Sequence, residues 1–244
     1  MRFRALLAAS LLALMPAAVS ATVVLSSGPP SALPTEVGAR ARWGGTGFEA
    51  VMLDSGTQVA GTALNPTGAP VWQLGQPHAF RLFWDWAVGT LTWQIDFNRD
   101  SSFGAGETAS FTSAPRAGSS FGYILLTLNS RTTGANSNAI DVNNLRINGT
   151  NLGNFTADST GPALGQFFEP AAPGPRFRSI EILGEMIFRN TGGNGAFQAE
   201  RPRMQIDFIG PEPVPEPSSW AMLLAGFGSI GLILRRRRAR VVAA

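Results

Sequence analysis

Apolar and polar positions alternate with a period of two through the middle of the chain, and this pattern disappears at both ends. The clearest stretch is residues 79–86 (AFRLFWDW), with Phe80, Leu82 and Trp84 on one face and Arg81, Phe83 and Asp85 on the other. Neighbouring side chains of a strand point to opposite faces, so such a run predicts a half-buried strand. Residues 91–97 (LTWQIDF) repeat it, with Leu91, Trp93, Ile95 and Phe97 in phase, and Val88-Gly89-Thr90 reads as the turn of a hairpin. Trp86 falls on the Trp84 side near the strand end, where a ring can reach solvent.

Shorter runs predict strands over 36–43, 48–53, 123–128, 139–147, 176–188 and 204–209. In 176–188 the expected core residues are Phe177, Ile180, Ile182, Leu183, Met186, Ile187 and Phe188, with a bulge or bend near Gly184. Clusters of Gly, Asn, Pro and Ser separate the runs, long helical periodicity is absent, and no repeat of fixed length argues for a propeller or solenoid. Roughly ten short strands between turns predict an all-β fold, an antiparallel β-sandwich or jelly roll. That domain spans residues 22–210.

The two ends read as targeting segments. Residues 1–21 combine Arg2 and Arg4, an apolar stretch over 5–15, and the small residues Val19-Ser20-Ala21. This is the pattern of a secretory signal peptide, with cleavage expected after Ala21. Residues 211–219 form a stiff Pro-rich linker, and residues 220–234 are an uncharged run. Fifteen helical residues cover about 22 Å against a hydrocarbon core of about 30 Å, so the expected transmembrane helix is short for a permanent span. Trp220 suits the membrane interface, and residues 235–244, with Arg235 to Arg238 and Arg240, form a basic tail that stays cytoplasmic.

Pro215-Glu216-Pro217-Ser218-Ser219-Trp220-Ala221, then the apolar run, then the Arg cluster, resembles the PEP-CTERM sorting signal of Gram-negative bacteria in its PEPxxWA variant. The resemblance covers only the end of the chain. It implies that Pro215, Glu216 and Pro217, with Trp220 and Ala221, are a recognition element without catalytic role. The implied partner is an exosortase-like membrane protease or transpeptidase, which cuts near the Pro-Glu-Pro and frees the ectodomain for the cell surface or an exopolysaccharide matrix. The hairpin and the stretch AIDVNNLRINGTNL are similar to the choice-of-anchor ectodomains that often precede such tails.

Composition narrows the chemistry. With no Cys, neither disulfides, thiolate metal sites nor cysteine catalysis are available. All 19 basic residues are Arg, which removes Schiff-base chemistry and a P-loop lysine, and His78 stands alone. The formal net charge is +3, but two Arg precede residue 22 and five follow residue 217. Residues 22–217 therefore hold 12 Arg against all 16 acids, a net charge of −4, and a nucleic-acid partner loses its support.

The sharpest local pattern in the ectodomain is Asp96-Phe-Asn98-Arg-Asp100, closed by Glu107. Oxygen-bearing side chains fall at positions 1, 3, 5 and 12 of a calcium-loop template, and alternate side chains of a tight loop can converge on a hard cation. Two departures stand against calcium: Ser101 occupies position 6, where the turn favours Gly, and the flanks are strands. A polar hairpin loop is the other reading.

Trp43, Trp72, Trp84, Trp86 and Trp93 could stack on sugars, although Trp84 and Trp93 alternate with aliphatic residues and are expected in the core. Asn148-Gly-Thr and Asn154-Phe-Thr fit the glycosylation sequon but are expected as turn residues. The GxGxxG match starting at Gly226 lies inside the apolar run, without the preceding strand a dinucleotide site needs. No catalytic constellation stands out: Ser55 lacks a nucleophile elbow, and His78, at a strand entrance, is expected as a solvated loop residue. The leading expectation is an exported, non-enzymatic surface or matrix protein. The alternatives are a calcium-dependent glycan-binding module and a secreted polysaccharide-active enzyme, which would need two carboxylates about 5 to 10 Å apart.

Overall fold

The computed structural model describes residues 22–28, 34–44, 47–64, 72–104, 106–118, 120–130, 138–159, 161–171, 177–190 and 202–210. The expected signal peptide, the Pro-rich linker, the transmembrane helix and the basic tail all lie outside these residues. The described residues form thirteen strands and one 3-10 turn, Ala114–Arg116.

All strand pairings are antiparallel, and they build two sheets. One contains, in spatial order, β1 (Val23–Ser26), β11 (Leu164–Pro170), β8 (Tyr123–Asn129), β13 (Arg203–Ile209), β2 (Thr35–Gly44), β3 (Gly47–Asp54) and β4 (Thr57–Gln58). The other contains β10 (Thr150–Asp158), β9 (Asn138–Ile147), β12 (Ile180–Asn190), β5 (His78–Asp85), β6 (Thr90–Ile95) and β7 (Thr108–Thr112). The expected sandwich is the fold.

Each sheet sends every second side chain inward to one continuous core. β2 contributes Val37, Ala39 and Ala41, and β6, which it faces across the core, contributes Leu91, Trp93 and Ile95. Small residues opposite large rings let the layers interdigitate without voids. Aromatic contacts tie the layers: Phe48 of β3 meets Phe188 of β12 edge-on at 6.0 Å, and Phe155 of β10 meets Phe168 of β11 at 5.8 Å. Phe121, just before β8, touches both Trp84 and Phe208 at 5.3 Å. Truncating one such ring costs about 3–5 kcal/mol, because the cavity adds to the lost transfer energy.

The β5–β6 hairpin forms as its alternation predicts, with the turn at residues 86–89 and Thr90 already in β6. Gly89 has φ +69°, and a Cβ there would lie 2.6 Å from Ser113 O, so both conformation and space demand glycine. Asn148 and Gly149, both left-handed (φ 49° and 81°), make the tight β9–β10 turn.

Two expectations change. Leu183 and Ile187 do not enter the core: Ile180, Ile182, Met186 and Phe188 face inward, and strict alternation turns the other two outward. The irregularity expected near Gly184 is there on the β9 side, between Leu183 and Glu185, while β12 pairs with β5 without a break from Ile180 to Met186. Gly184 also makes room, for a Cβ at this position would sit 2.9 Å from the Phe80 ring. The irregularity belongs to the neighbouring β9, where the register shifts opposite Leu183/Glu185 and Asn144 has φ 53°. Strands β1, β4, β7, β10 and β11 carry no clear alternation of residue type and were not predicted from it.

Candidate functional site

The loop from Asp96 to Glu107 leaves the end of β6 and enters β7. Its ends are pinned by the sheet: Ile95 N–H donates to Glu107 O at 2.9 Å, and Asp96 N–H to Ala79 O at 2.9 Å. Asp96 (3 % exposed) and Glu107 (5 %) are buried, whereas Asn98 and Asp100 are exposed. Asp96 takes the Asp100 N–H on Oδ1 (3.2 Å) and the Ser101 N–H on Oδ2 (2.9 Å). Glu107 Oε1 accepts from Phe97 N–H (2.8 Å) and Asn98 N–H (3.3 Å), and Oε2 from Gly104 N–H (2.6 Å).

Outside this shell, Asp100 Oδ1 accepts from the N–H and hydroxyl of Ser102 (2.8 and 2.5 Å), and Oδ2 from Asn98 Nδ2 (2.9 Å). The Ser102 hydroxyl is the main cause that holds the Asp100 carboxyl below its ordinary pKa. The loop therefore curls as the template suggests, with Arg99 and Ser101 left-handed (φ 59° and 66°). Its two buried carboxylates face inward on backbone amides. Among the described residues no group of three His, Cys, Asp or Glu is arranged to hold a metal ion.

Beneath the loop, His78 is fully buried, which corrects its expected place as a solvated residue. Trp72 lies between two rings, stacked on Phe48 at 4.1 Å and on His78 at 3.8 Å. Phe97 and Phe188 meet Trp72 edge-on. Gln73 N–H donates to His78 Nε2 at 3.3 Å, so that nitrogen is an acceptor. The proton then sits on Nδ1, which donates to Asp96 O at 3.0 Å. Desolvation lowers the imidazole pKa, partly opposed by the Asp96 and Gln73 backbone bonds, and the ring is a neutral brace. The reason for its burial is tertiary: Trp72 folds over it from an adjoining loop.

Of the five ectodomain tryptophans, Trp43, Trp72, Trp84 and Trp93 are buried. The core placement expected for Trp84 and Trp93 holds. Trp86 sits in the β5–β6 turn, half-buried, with the Arg178 guanidinium 5.0 Å from its ring centroid. Phe97 of the Asp96–Glu107 loop, and Trp72 and His78 beneath it, are buried.

One cluster escaped sequence reasoning. Glu36, Asp54, Ser55 and Arg116 meet in a cleft of about 690 Å³ between the β2–β3 hairpin and the 3-10 turn. Arg116 pairs with Glu36, reaches Asp54 Oδ1 at 3.1 Å and donates to Ser55 Oγ at 2.7 Å. Both carboxylates are taken up by one guanidinium, which ties the turn to the seven-stranded sheet. These residues are far apart in sequence, and no local spacing announces them.

A sandwich whose last strand ends at Ile209, followed by a proline-rich exit and a tripartite tail, defines an ectodomain carried by a sorting signal. Residues 213–238 match the family described as the PEP-CTERM protein-sorting motif. The chain carries a PEP-CTERM signal, and with it the assignment of an exported protein that an exosortase processes at the membrane. Pro215, Glu216, Pro217, Trp220 and Ala221 fall inside the matched span and outside the described residues. No curated protein matches the chain. Among the described residues no helix is long and apolar enough to cross a membrane.

Proposed function

We propose that this chain is a non-enzymatic structural protein of the cell surface or an exopolysaccharide matrix, displayed after exosortase cleavage near Pro215-Glu216-Pro217. The observation that carries the reading is the consumption of the candidate chemistry by the fold. His78 braces the Asp96 loop, four of five ectodomain tryptophans fill the core, and Glu36 and Asp54 are held by Arg116. A polysaccharide-active enzyme needs two carboxylates free to exchange protons across a cleft. Intact-mass measurement of the extracellular protein tests the display step. The expected species lacks residues 1–21 and ends near Pro217; an extracellular species that still carries residues 220–244 overturns it.

The second reading, a calcium-dependent module, draws its support from the left-handed curl of residues 99 and 101 around Asp96. Calcium would be held by Asp96, Asn98, Asp100 and Glu107. It predicts that EDTA lowers the melting temperature and that Asp96→Ala or Glu107→Ala abolishes the response. A chelation-independent melting curve returns the loop to a turn braced by its own amides.

A further inference from the structure

On the outward face of the seven-stranded sheet, three guanidiniums gather where β13 lies beside β2. Met204 and Ile206 of β13, and Ala39 and Ala41 of β2, are buried in the core. Alternation therefore turns Arg203 and Gln205, and Arg40 and Arg42, to the opposite face, where all four are half-buried. The ladder sets Arg203 opposite Arg42 and Gln205 opposite Arg40. Strands about 4.8 Å apart, with same-face positions about 6.8 Å apart, leave the Cα atoms of Arg40 and Arg203 roughly 8 Å from each other on the diagonal.

The three arginines are not equally served. Arg42 is paired with Glu49, which lies opposite it in the β2–β3 ladder. In the same position Arg40 has Val51, and Arg203 has Asn129 of β8 on its other side. Among the described residues neither Arg40 nor Arg203 has an ion-pair partner, and Nε of each is buried without a hydrogen bond. Asp207, the next outward residue of β13, takes its side-chain bonds from Gln205. Burial first, then repulsion from Arg42 and Arg203, lowers the Arg40 pKa, with Glu49 and Asp207 opposing. A guanidinium stays charged all the same, so what the cluster lacks is a counter-anion.

We propose that Arg40 and Arg203 form a binding site for a phosphate-type oxyanion, with Arg42 at its rim. Unspent positive charge and unspent N–H donors on one face select an anion. Shape selects the kind of anion. A carboxylate presents one planar edge, which a single guanidinium fork fills. A tetrahedral oxyanion offers oxygens in several directions and accepts from two guanidiniums carried by different strands. A free phosphate ion and a phosphomonoester on a larger molecule share this chemistry. The site goes beyond the display reading and stands whether or not cleavage occurs as proposed.

An anion held here stabilises the folded sandwich, so the melting temperature reports it. Anions attracted by Arg235 to Arg238 of the tail leave that transition unchanged, because the tail binds them alike before and after unfolding. The full-length chain in a non-ionic detergent is melted with inorganic phosphate, glycerol 3-phosphate or acetate, at ionic strength matched with sodium chloride. With a Kd of about 1 mM, phosphate at about 10 mM raises the melting temperature by about 2–4 °C. Arg40→Gln and Arg203→Gln each weaken binding about tenfold and remove most of the rise. Both relieve repulsion, so without anion these variants melt no lower than the parent. Arg81→Gln removes a guanidinium already paired with Glu181 and keeps the full rise. An equal rise with glycerol 3-phosphate admits a phosphate carried on a larger molecule, and a rise with inorganic phosphate alone assigns the site to the free ion. No rise with phosphate overturns the proposal, as does an equal rise with acetate or a rise that both variants retain in full.

Discussion

On β13, in the seven-stranded sheet, Asp207 points away from the core and is still only 4 % exposed. On β6, in the six-stranded sheet, Thr90, Thr92 and Gln94 point away from the core and stay half open. The inward faces of the two sheets are alike in chemistry, and these outward positions differ in burial. Val51 (3 % exposed) and Leu53 (1 %) of β3 also face outward and are closed off from solvent. In that setting charged groups are held at a cost. Asp207 accepts from Gln205 Nε2 at 3.0 and 2.9 Å, yet desolvation outweighs these bonds and the nearby Arg203 and Arg40, and its pKa rises to about 6. Nε of Arg40 and of Arg203 is buried without a hydrogen-bond partner. Period-two alternation therefore tells which residues share a face, but not whether that face is wet.

The contrast can be broken most forcefully at Gly38, opposite Asp207 in the β2–β13 ladder. A Cβ there would lie 2.7 Å from Asp207 Oδ1 and 2.6 Å from Ile206 O. Gly38→Val is expected to destabilise the domain by about 3 kcal/mol in chemical denaturation, at the upper end for overpacking. Thr92→Val on the other sheet should stay within about 0.5 kcal/mol. Similar losses at the two sites would erase the distinction between the faces.

Asp207→Asn comes next. The folded state keeps the Asp207 proton to about pH 6, whereas the unfolded chain releases it near 3.8. Between those values the folded state binds more protons, so this group makes stability fall as pH rises. The variant should be more stable by about 2 kcal/mol at pH 7 and should lose that slope. A variant less stable at pH 7 would show that the charge is held favourably by Arg203 and Arg40.

His78 acts in the opposite sense. Its folded pKa is lowered, so the unfolded chain binds the extra proton, and stability falls as pH drops below about 6.5. His78→Gln should flatten this acid limb in a pH series of melting temperatures, even if it lowers stability at every pH. An unchanged limb would assign the acid sensitivity to other groups.

The smallest expected effect is at Ser101. Its left-handed backbone (φ 66°) carries a penalty of about 1 kcal/mol that glycine escapes, and its N–H bond to Asp96 survives the change. Ser101→Gly should raise stability by about 0.5 kcal/mol, less than the full penalty because glycine also loosens the unfolded chain. A loss of stability would mean that the Ser101 side chain has a role of its own in the loop.

Sequence alone sufficed for β5, β6 and β13, because their inward and outward residues differ in chemistry. It also carried the sorting tail, whose signal is local: a tripeptide, an apolar run and an Arg cluster in order. It failed for β10 and β11, whose Gly, Asn and Pro residues hide the alternation, and for Leu183 and Ile187, where apolar residues occupy both faces. The Asp96–Glu107 loop was legible as a set of oxygens brought together, since turn geometry is set by neighbours in the chain. That its two buried carboxylates meet backbone amides was decided by the folded loop.

The same division holds for the whole molecule. Residue order determined the strands with contrasting faces, the charge balance of the ectodomain and the sorting signal, all of which depend on interactions within a few residues. The tertiary structure decided that His78 is buried under Trp72, that Arg116 gathers Glu36 and Asp54, and that the outward-pointing Asp207 is closed off from solvent while Thr92 stays half open. Those outcomes depend on which distant surfaces meet, and burial sets the strength of every charge and hydrogen bond involved.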